Sequence, residues 1–232
     1  MKLDLHCHTE ASFDCVVPLS EMLVRLETRG VGVQAITDHN EIWGAQKLQE
    51  LADTRREYDP HTPMIIVGEE VSTLEGEIIG LFLTEVIPRG LSPEETVARI
   101  KGQGGLVLLP HGFDPLKKKR LRPEALARVA EEIDIVETFN ARTSRPRWNY
   151  AAATWAEARG MPKSAGSDAH TLADVGAAWV ETKETDVGTP ERLLTALRSG
   201  RAEGKWTHPL QALAYKVWDS GFEITKRYLA NR

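Results

Sequence analysis

Cysteine is scarce: Cys7 and Cys15 are the only two in 232 residues. Two thiols cannot build a disulfide framework, so a cytoplasmic address is expected. Long apolar runs are missing as well. No stretch could span a bilayer, and the opening Met1-Lys2-Leu3-Asp4 lacks the apolar core of a secretory signal, so no membrane partner is expected. Nor is there a basic surplus. Lys and Arg number 29 against 34 Asp and Glu, a net charge of −5. A general nucleic-acid binder needs a basic surface, so no stable nucleic-acid complex is expected. Internal repeats, low-complexity tracts and Ser/Gly linkers are absent, and residues 1–232 read as one domain. The remaining composition, 41% hydrophobic and 27% charged, is ordinary for a globular chain.

What the chain does have is histidine in company. Of its seven histidines, His6, His8, His39, His111 and His170 stand in short strings beside a carboxylate or another histidine, whereas His61 and His208 do not. The strings follow apolar runs. Lys2–Leu5, Val33–Thr37, Met64–Val67, Ile78–Leu83, Leu106–Leu109, Ile133–Val136, Ser164-Ala165 and Ala177–Val180 read as strands. Between them, Ser20–Arg29, Glu41 to about Tyr58, Ser92 to about Gln103, Pro123–Glu132, Arg147–Arg159 and a late segment capped by Thr189 read as helices. Ser92-Pro93-Glu94-Glu95 has the form of a capping box. Strands alternating with helices predict an α/β protein with a mostly parallel sheet. Polar strings at so many strand ends favour a barrel with its chemistry at the carboxyl ends of the strands.

In a strand, residues two apart share a face. His6 and His8 therefore point the same way, about 7 Å apart, and can hold one metal ion or adjacent ones. Cys7 points away and reads as a small buried hydrophobe. His39, after Thr37-Asp38, is placed to bind metal. Asp38 beside it, behind the ligands, orients one of them or accepts a proton, caps the helix beginning near Glu41, or does both. Glu69 and Glu70 face opposite ways; Glu70 is chosen as the ligand and Glu69 as its solvent-facing or supporting neighbour. Asp14 is either a turn acid or a ligand, and Glu77 either a ligand or a solvated turn acid. His111 sits at a strand end between Pro110 and Gly112. Asp168 and His170 repeat the alternation of the first string, mixing a carboxylate oxygen with an imidazole nitrogen. That donor set suits Zn, Mn or Fe(II) better than Ca. Together the five strings point to a polynuclear metal site.

At His6-Cys7-His8-Thr9, Thr37-Asp38-His39-Asn40, Gly68-Glu69-Glu70, Pro110-His111 and Gly166-Ser167-Asp168-Ala169-His170 the chain resembles the polymerase and histidinol phosphatase (PHP) family of metal-dependent phosphoesterases, over residues 1 to about 185. The resemblance is to the short stand-alone proteins rather than to polymerase-appended domains. It implies a distorted, TIM-like barrel of seven strands and two or three divalent ions, with His6, His8, Asp14, His39, Glu70, His111, Asp168 and His170 as ligands. The family usually has histidine where Glu77 stands; an oxygen donor is workable there.

The expected activity is hydrolysis of a small phosphate ester, such as a phosphomonoester of a nucleotide or similar metabolite, by a metal-bridging hydroxide. Arg142 and Arg145, after the Ile133–Val136 strand, are placed to reach a phosphate or else are solvated loop residues. Asn140 holds substrate or caps a turn. The Lys117–Arg122 run reads as a solvated face in preference to a funnel for a nucleotide or short oligonucleotide. Rival readings are an amidohydrolase-type deaminase or amidase, and a catalytically silent metal-binding regulatory module. The last stretch, about 208–229, is expected to form a helix packed on the barrel.

Overall fold

In this computed structural model, residues 1–215, 217 and 218 are described. Nine strands form one sheet: β1 (Lys2–Asp4), β2 (Val33–Ile36), β3 (Met64–Thr73), β4 (Gly76–Leu81), β5 (Leu106–Leu109), β6 (Ile135–Asn140), β7 (Lys163–Gly166), β8 (Ala178–Glu181) and β9 (Arg201–Gly204). Their order is β7-β6-β5-β4-β3-β2-β1-β8-β9. Pairs β1–β2, β2–β3, β5–β6 and β6–β7 are parallel; β3–β4, β4–β5, β1–β8 and β8–β9 are antiparallel. The chain beyond β1 bonds to the chain at and beyond β7. Leu5 N–H donates to Ala165 O at 3.1 Å, Asp168 N–H to His6 O at 2.8 Å and His8 N–H to Ala169 O at 3.1 Å. The sheet is thereby nearly closed into a barrel.

The strand number exceeds the seven that the resemblance implies; eight of the nine match the apolar runs read from the sequence, one of them lengthened, and β9 is the addition. The Met64–Val67 run does not stop at its acids but continues to Thr73 and folds back through Gly76 (φ 129°) as β4. β8 and β9 form an antiparallel pair, joined through residues 182–200, on the other edge of β1, and β9 was not legible, since Arg201-Ala-Glu-Gly204 has no apolar run. β4 ends at Leu81 because Phe82 takes a left-handed backbone (φ 61°).

Helices α1 (Leu19–Arg29), α2 (Trp43–Arg56), α3 (Pro93–Gly102), α4 (Pro123–Val129), α5 (Arg147–Glu157) and α6 (Pro190–Ser199) lie close to their expected positions. The Ser92–Glu95 capping box is formed, and the Thr189 side chain caps α6 by accepting from Arg192 N–H. Of the C-terminal helix, 209–215 is helical and Ala212 is buried; the rest of that expectation lies outside the described residues, apart from 217 and 218, which are helical.

Two apolar clusters hold the layers. One joins sheet residues such as Ile36, Val67 and Val107 to Met22, Leu48, Ile100 and Ala152 on the helices. The other gathers Leu3, Leu5, Val33, Ala35, Ile66, Leu108 and Ile135 inside the sheet, with Leu193 and Leu197 of α6. Burial of each such aliphatic side chain contributes about 1.5–3 kcal/mol. Strict alternation would put Cys7 with Leu3 and Leu5, yet Cys7 packs in the helix-facing cluster. Asp4 explains the switch. Its Oδ1 accepts from His6 N–H (3.2 Å) and Ser167 N–H (3.0 Å), which ends β1 and hands the inward face from Leu5 to His6.

Candidate metal centre

At the carboxyl ends of β1, β2, β5 and β7, and along the β3–β4 hairpin, the sheet brings five imidazoles and four carboxylates together. His6 Nε2 and His8 Nε2 are 3.2 Å apart. Glu70 is central: Oε2 lies 3.5, 3.4 and 3.2 Å from His6 Nε2, His8 Nε2 and His39 Nδ1, while Oε1 is 3.0 Å from His111 Nε2. Asp168 Oδ1 lies 3.8 Å from His6 Nε2 and 3.5 Å from His8 Nε2. Glu77 Oε1 approaches His39 Nδ1 to 3.4 Å, and Asp14 Oδ2 approaches His170 Nε2 to 3.2 Å. His111 (φ 30°) and Asp168 (φ 51°) hold these positions on left-handed backbone, which is uncommon away from glycine and clusters at functional sites. Asn40 (φ 57°) ties the end of β2 to β3: its N–H donates to Glu70 O and its Oδ1 accepts from Ser72 N–H.

Three outer nitrogens are engaged from behind. His6 Nδ1 meets Glu137 Oε1 at 2.9 Å, His8 Nδ1 meets Ser12 Oγ at 3.2 Å, and His170 Nδ1 meets Asp168 O at 2.9 Å. In the neutral imidazole, a proton on each outer nitrogen leaves the Nε2 lone pair for the cluster, the arrangement a metal-binding imidazole requires.

Burial opposes charge throughout. It lowers His39 to about 4, and with His170 it lowers His8. His6 departs from this: against burial, Glu137, Glu70 and Asp168 hold it well above its ordinary value. Despite burial, His6 and His111 hold Glu70 well below the usual range, and Lys117 and His6 do so for Asp168. Glu77 is pushed up to about 9, by burial and then by the neighbouring Glu70 charge. A carboxyl in that position ionises at neutral pH only when further positive charge sits beside it.

The donor set fits metal ions. Among the described residues, four overlapping triplets (His8–His39–His170, His6–His8–Glu70, His6–His111–Asp168 and His39–Glu70–Glu77) keep their donor atoms within 4.8 Å of one another, all in buried residues. His39 Nδ1 and His111 Nδ1 are buried without a hydrogen-bond partner. An orphaned nitrogen such as His39 Nδ1, 3.2 Å from Glu70 Oε2, is costly unless a cation satisfies it.

Several expectations need correction. Asp38 does not line the cavity, and α2 starts from Ile42 without a side-chain cap. The Asp38 oxygens instead accept from Thr9 N–H, Thr9 Oγ–H and Ser12 Oγ–H, each at 2.7 Å. Arg145 lies in a separate cavity with Trp206 and His208, whereas Arg142 lines the central one and donates to Asp168 O at 3.1 Å. Asn140 does more than cap a turn, for its Nδ2 donates to Glu137 Oε2 and Asp168 Oδ2. Glu69 is not solvent-facing: it is fully buried and accepts from Ile87 N–H at 2.8 Å. The basic run is not wholly a solvated face. Lys117 Nζ lies 2.5 Å from Asp168 Oδ2, Lys119 Nζ lies 3.1 Å from Glu77 Oε1, and Leu121 is fully buried.

Glu137, which supports His6 and also accepts from the His111 backbone N–H at 2.7 Å, was missed. Its signal was a lone acid two residues after the inward Ile135. Lys117 and Lys119 were missed because a charge run carries no facing information, and nothing in the sequence marks Ser12.

The site surrounds a cavity of about 220 Å³ with imidazoles and carboxylates below and Lys117, Lys118, Lys119 and Arg142 at the rim. These features define a class: a barrel-like α/β protein whose strand ends carry a buried imidazole–carboxylate cluster suited to metal ions. A family model described as the PHP domain matches residues 4–132, and a second, described as PHP-associated, matches 146–202. The chain belongs to the PHP domain family, whose members are metal-dependent hydrolases.

Two uncharacterized proteins of Methanocaldococcus jannaschii are relatives. One is 35% identical over 199 residues, covering 83% of this chain and 75% of the relative. The other is 41% identical over 153 residues, covering 61% and 82%. Among solved structures, a two-domain protein from Bacteroides vulgatus containing a predicted PHP-like metal-dependent phosphoesterase has TM-score 0.68 at 18% identity, covering 88% of this chain and 65% of that one. This chain therefore spans somewhat under two thirds of that two-domain protein. An amidohydrolase from Chromobacterium violaceum, with bound sulfate and no metal, has TM-score 0.59 at 16% identity, covering 88% and 98%. The lesion-specific endonuclease PfuEndoQ of Pyrococcus furiosus has TM-score 0.52 at 14% identity, covering 88% and 57%. These three are likenesses of fold. No helix among the described residues is long and apolar enough to cross a membrane.

Proposed function

We propose that this chain hydrolyses a small phosphate ester, a phosphomonoester of a nucleotide or similar metabolite, with two or three divalent ions (Zn, Mn or Fe) held by His6, His8, Asp14, His39, Glu70, Glu77, His111, Asp168 and His170. The observation that carries this reading is the pairing of two opposite features around one cavity: a metal-type donor set at its floor and Lys117, Lys119 and Arg142 at its rim. Bound ions would lower the pKa of water and polarise phosphate oxygens.

The chain's own residues do the rest. Arg142 offers a planar guanidinium suited to two phosphate oxygens. Its place is set from two sides, by its N–H donating to Asn140 Oδ1 (2.8 Å) and its Nη1 donating to Asp168 O. Lys117 and Lys119 neutralise Asp168 and Glu77 and stand where a dianionic ester enters. Asp114, fully buried, accepts from Ser144 Oγ–H (2.7 Å) and Leu116 N–H (3.0 Å), joining the loop that bears Lys117 to the loop that bears Arg142. Phe13, largely exposed beside His39 with ring centroids 5.5 Å apart, gives the rim a flat face for a base or similar group.

A neutral amide offers no charge to match the four cations that line the cavity, Lys117, Lys118, Lys119 and Arg142, which favours phosphate over the amidohydrolase reading. The test is Asp168→Ala in metal-replete protein. Phosphate release should disappear while the fold persists, and retained hydrolysis would refute the assignment.

A further inference from the structure

Ser12 is 2% exposed and its hydroxyl meets three groups. It lies 2.7 Å from Asp38 Oδ1, 3.0 Å from the backbone nitrogen of His39 and 3.2 Å from His8 Nδ1. A hydroxyl has one proton to give and two lone pairs to receive with. The carboxylate of Asp38 only accepts, so the Ser12 proton goes there. The His39 N–H takes one lone pair. What remains for His8 is the other lone pair, so His8 must carry its proton on Nδ1.

We infer that Ser12, held by Asp38, is a positioning residue that fixes the Nδ1–H form of His8 and so presents the Nε2 lone pair to the metal cluster. The surroundings are built for this one arrangement. Asp38 is fully buried and its other contacts are Thr9 N–H and Thr9 Oγ–H. Behind it stands Gly44, at the start of α2, where a Cβ would come within 2.7 Å of Asp38 Oδ2 and of Thr9 Oγ1. Only glycine lets α2 approach this closely. The same hydroxyl also accepts from the His39 backbone N–H, so one side chain joins the two ligand-bearing segments. The inference deepens the metal-centre reading above and gives Asp38 a role one step removed from the reacting atoms.

The decisive measurement needs no substitution. In metal-free wild-type protein, long-range ¹⁵N–¹H NMR of the imidazoles should show His8 protonated on Nδ1 and bare on Nε2; a proton on Nε2 would overturn the inference. Ser12→Ala should mix the two His8 forms and weaken zinc binding, measured by chelator competition, by about tenfold or more, in the range seen when a supporting partner of a metal ligand is lost. Ser12→Thr keeps the hydroxyl and should recover most of that loss. A folded Ser12→Ala protein with unchanged zinc affinity and an unchanged His8 pattern would refute it. If Ser12→Ala does not fold, the wild-type spectrum decides alone. Phosphate release plays no part in these readouts, so a failure of the phosphoesterase reading would leave this result standing and separately visible.

Discussion

Glu137→Gln is the substitution whose effect can be worked most fully from the structure. Glu137 is 2% exposed and accepts three bonds: His6 Nδ1–H at 2.9 Å on Oε1, and His111 N–H at 2.7 Å and Asn140 Nδ2 at 3.1 Å on Oε2. Glutamine has the same shape but only one accepting oxygen. Placing that oxygen against the two donors, His111 N–H and Asn140, turns its NH₂ toward His6 Nδ1. Donor then meets donor, and His6 relieves the conflict by giving up its Nδ1 proton and keeping one on Nε2, which removes its lone pair from the cluster. Bonds to a charged acceptor contribute about 1.5–3 kcal/mol and neutral ones about 0.5–1.5, so converting all three should cost about 2–4 kcal/mol. Domains have about 5–15 kcal/mol in total, so the variant should still fold. Urea denaturation of the metal-free protein should show that loss as a lower midpoint. Zinc affinity by chelator competition should fall about 10- to 100-fold. A stability change under about 0.5 kcal/mol together with wild-type zinc affinity would refute the claim that Glu137 orients His6.

Further substitutions and metal removal separate the parts of the site. Gly166→Ala would place a Cβ 2.3 Å from both Glu137 Oε1 and His6 Cβ, and the latter moves only with its own backbone. It should cost about 1–3 kcal/mol in thermal or urea unfolding and also weaken metal binding. Gly102→Ala, with open space around it, should be neutral or slightly stabilising. Arg142→Ala should lower kcat/KM for phosphate esters by about tenfold or more, a loss on the order of 1.4 kcal/mol of transition-state stabilisation. Arg145→Ala, in its separate cavity, should change kcat/KM less than about twofold; the reverse ranking would place the phosphate elsewhere. Chelator treatment should abolish hydrolysis and lower the melting temperature through loss of linked binding. Circular dichroism should nevertheless remain native-like, because the metal-type ligands belong to neither apolar cluster.

Much of this site was legible because its chemistry is written in strand-end strings. His6, His8, His39, Glu70, His111, Asp168 and His170 follow apolar runs, and period-two alternation correctly separated His6 and His8 from Cys7. What stayed hidden depended on contacts between distant segments. Lys117 and Lys119 sit in an unbroken basic run whose facing is set by the Asp114–Ser144 bond across two loops. Asp38 and Ser12 are an ordinary strand-end acid and loop serine until the fold brings them to 2.7 Å. Arg142 and Arg145 are three residues apart, and only the turn at the start of α5 sends them to different cavities. The full length of β3 and the existence of β9 escaped for local reasons. An acid pair within Met64–Thr73 looks like a strand end, and a polar edge strand such as β9 lacks the apolar pattern that marks a buried one.

The central claim is that this metal cluster with a cationic rim acts on phosphate esters. Its most direct test is to measure the metal content of the purified protein, load it to saturation, and assay phosphate and ammonia release together over nucleotides, sugar phosphates, histidinol phosphate and a set of amides. Two or three divalent ions per chain, phosphate released from at least one ester, and no ammonia are expected. A fully loaded protein that releases ammonia, or that is inert toward every ester, would contradict it.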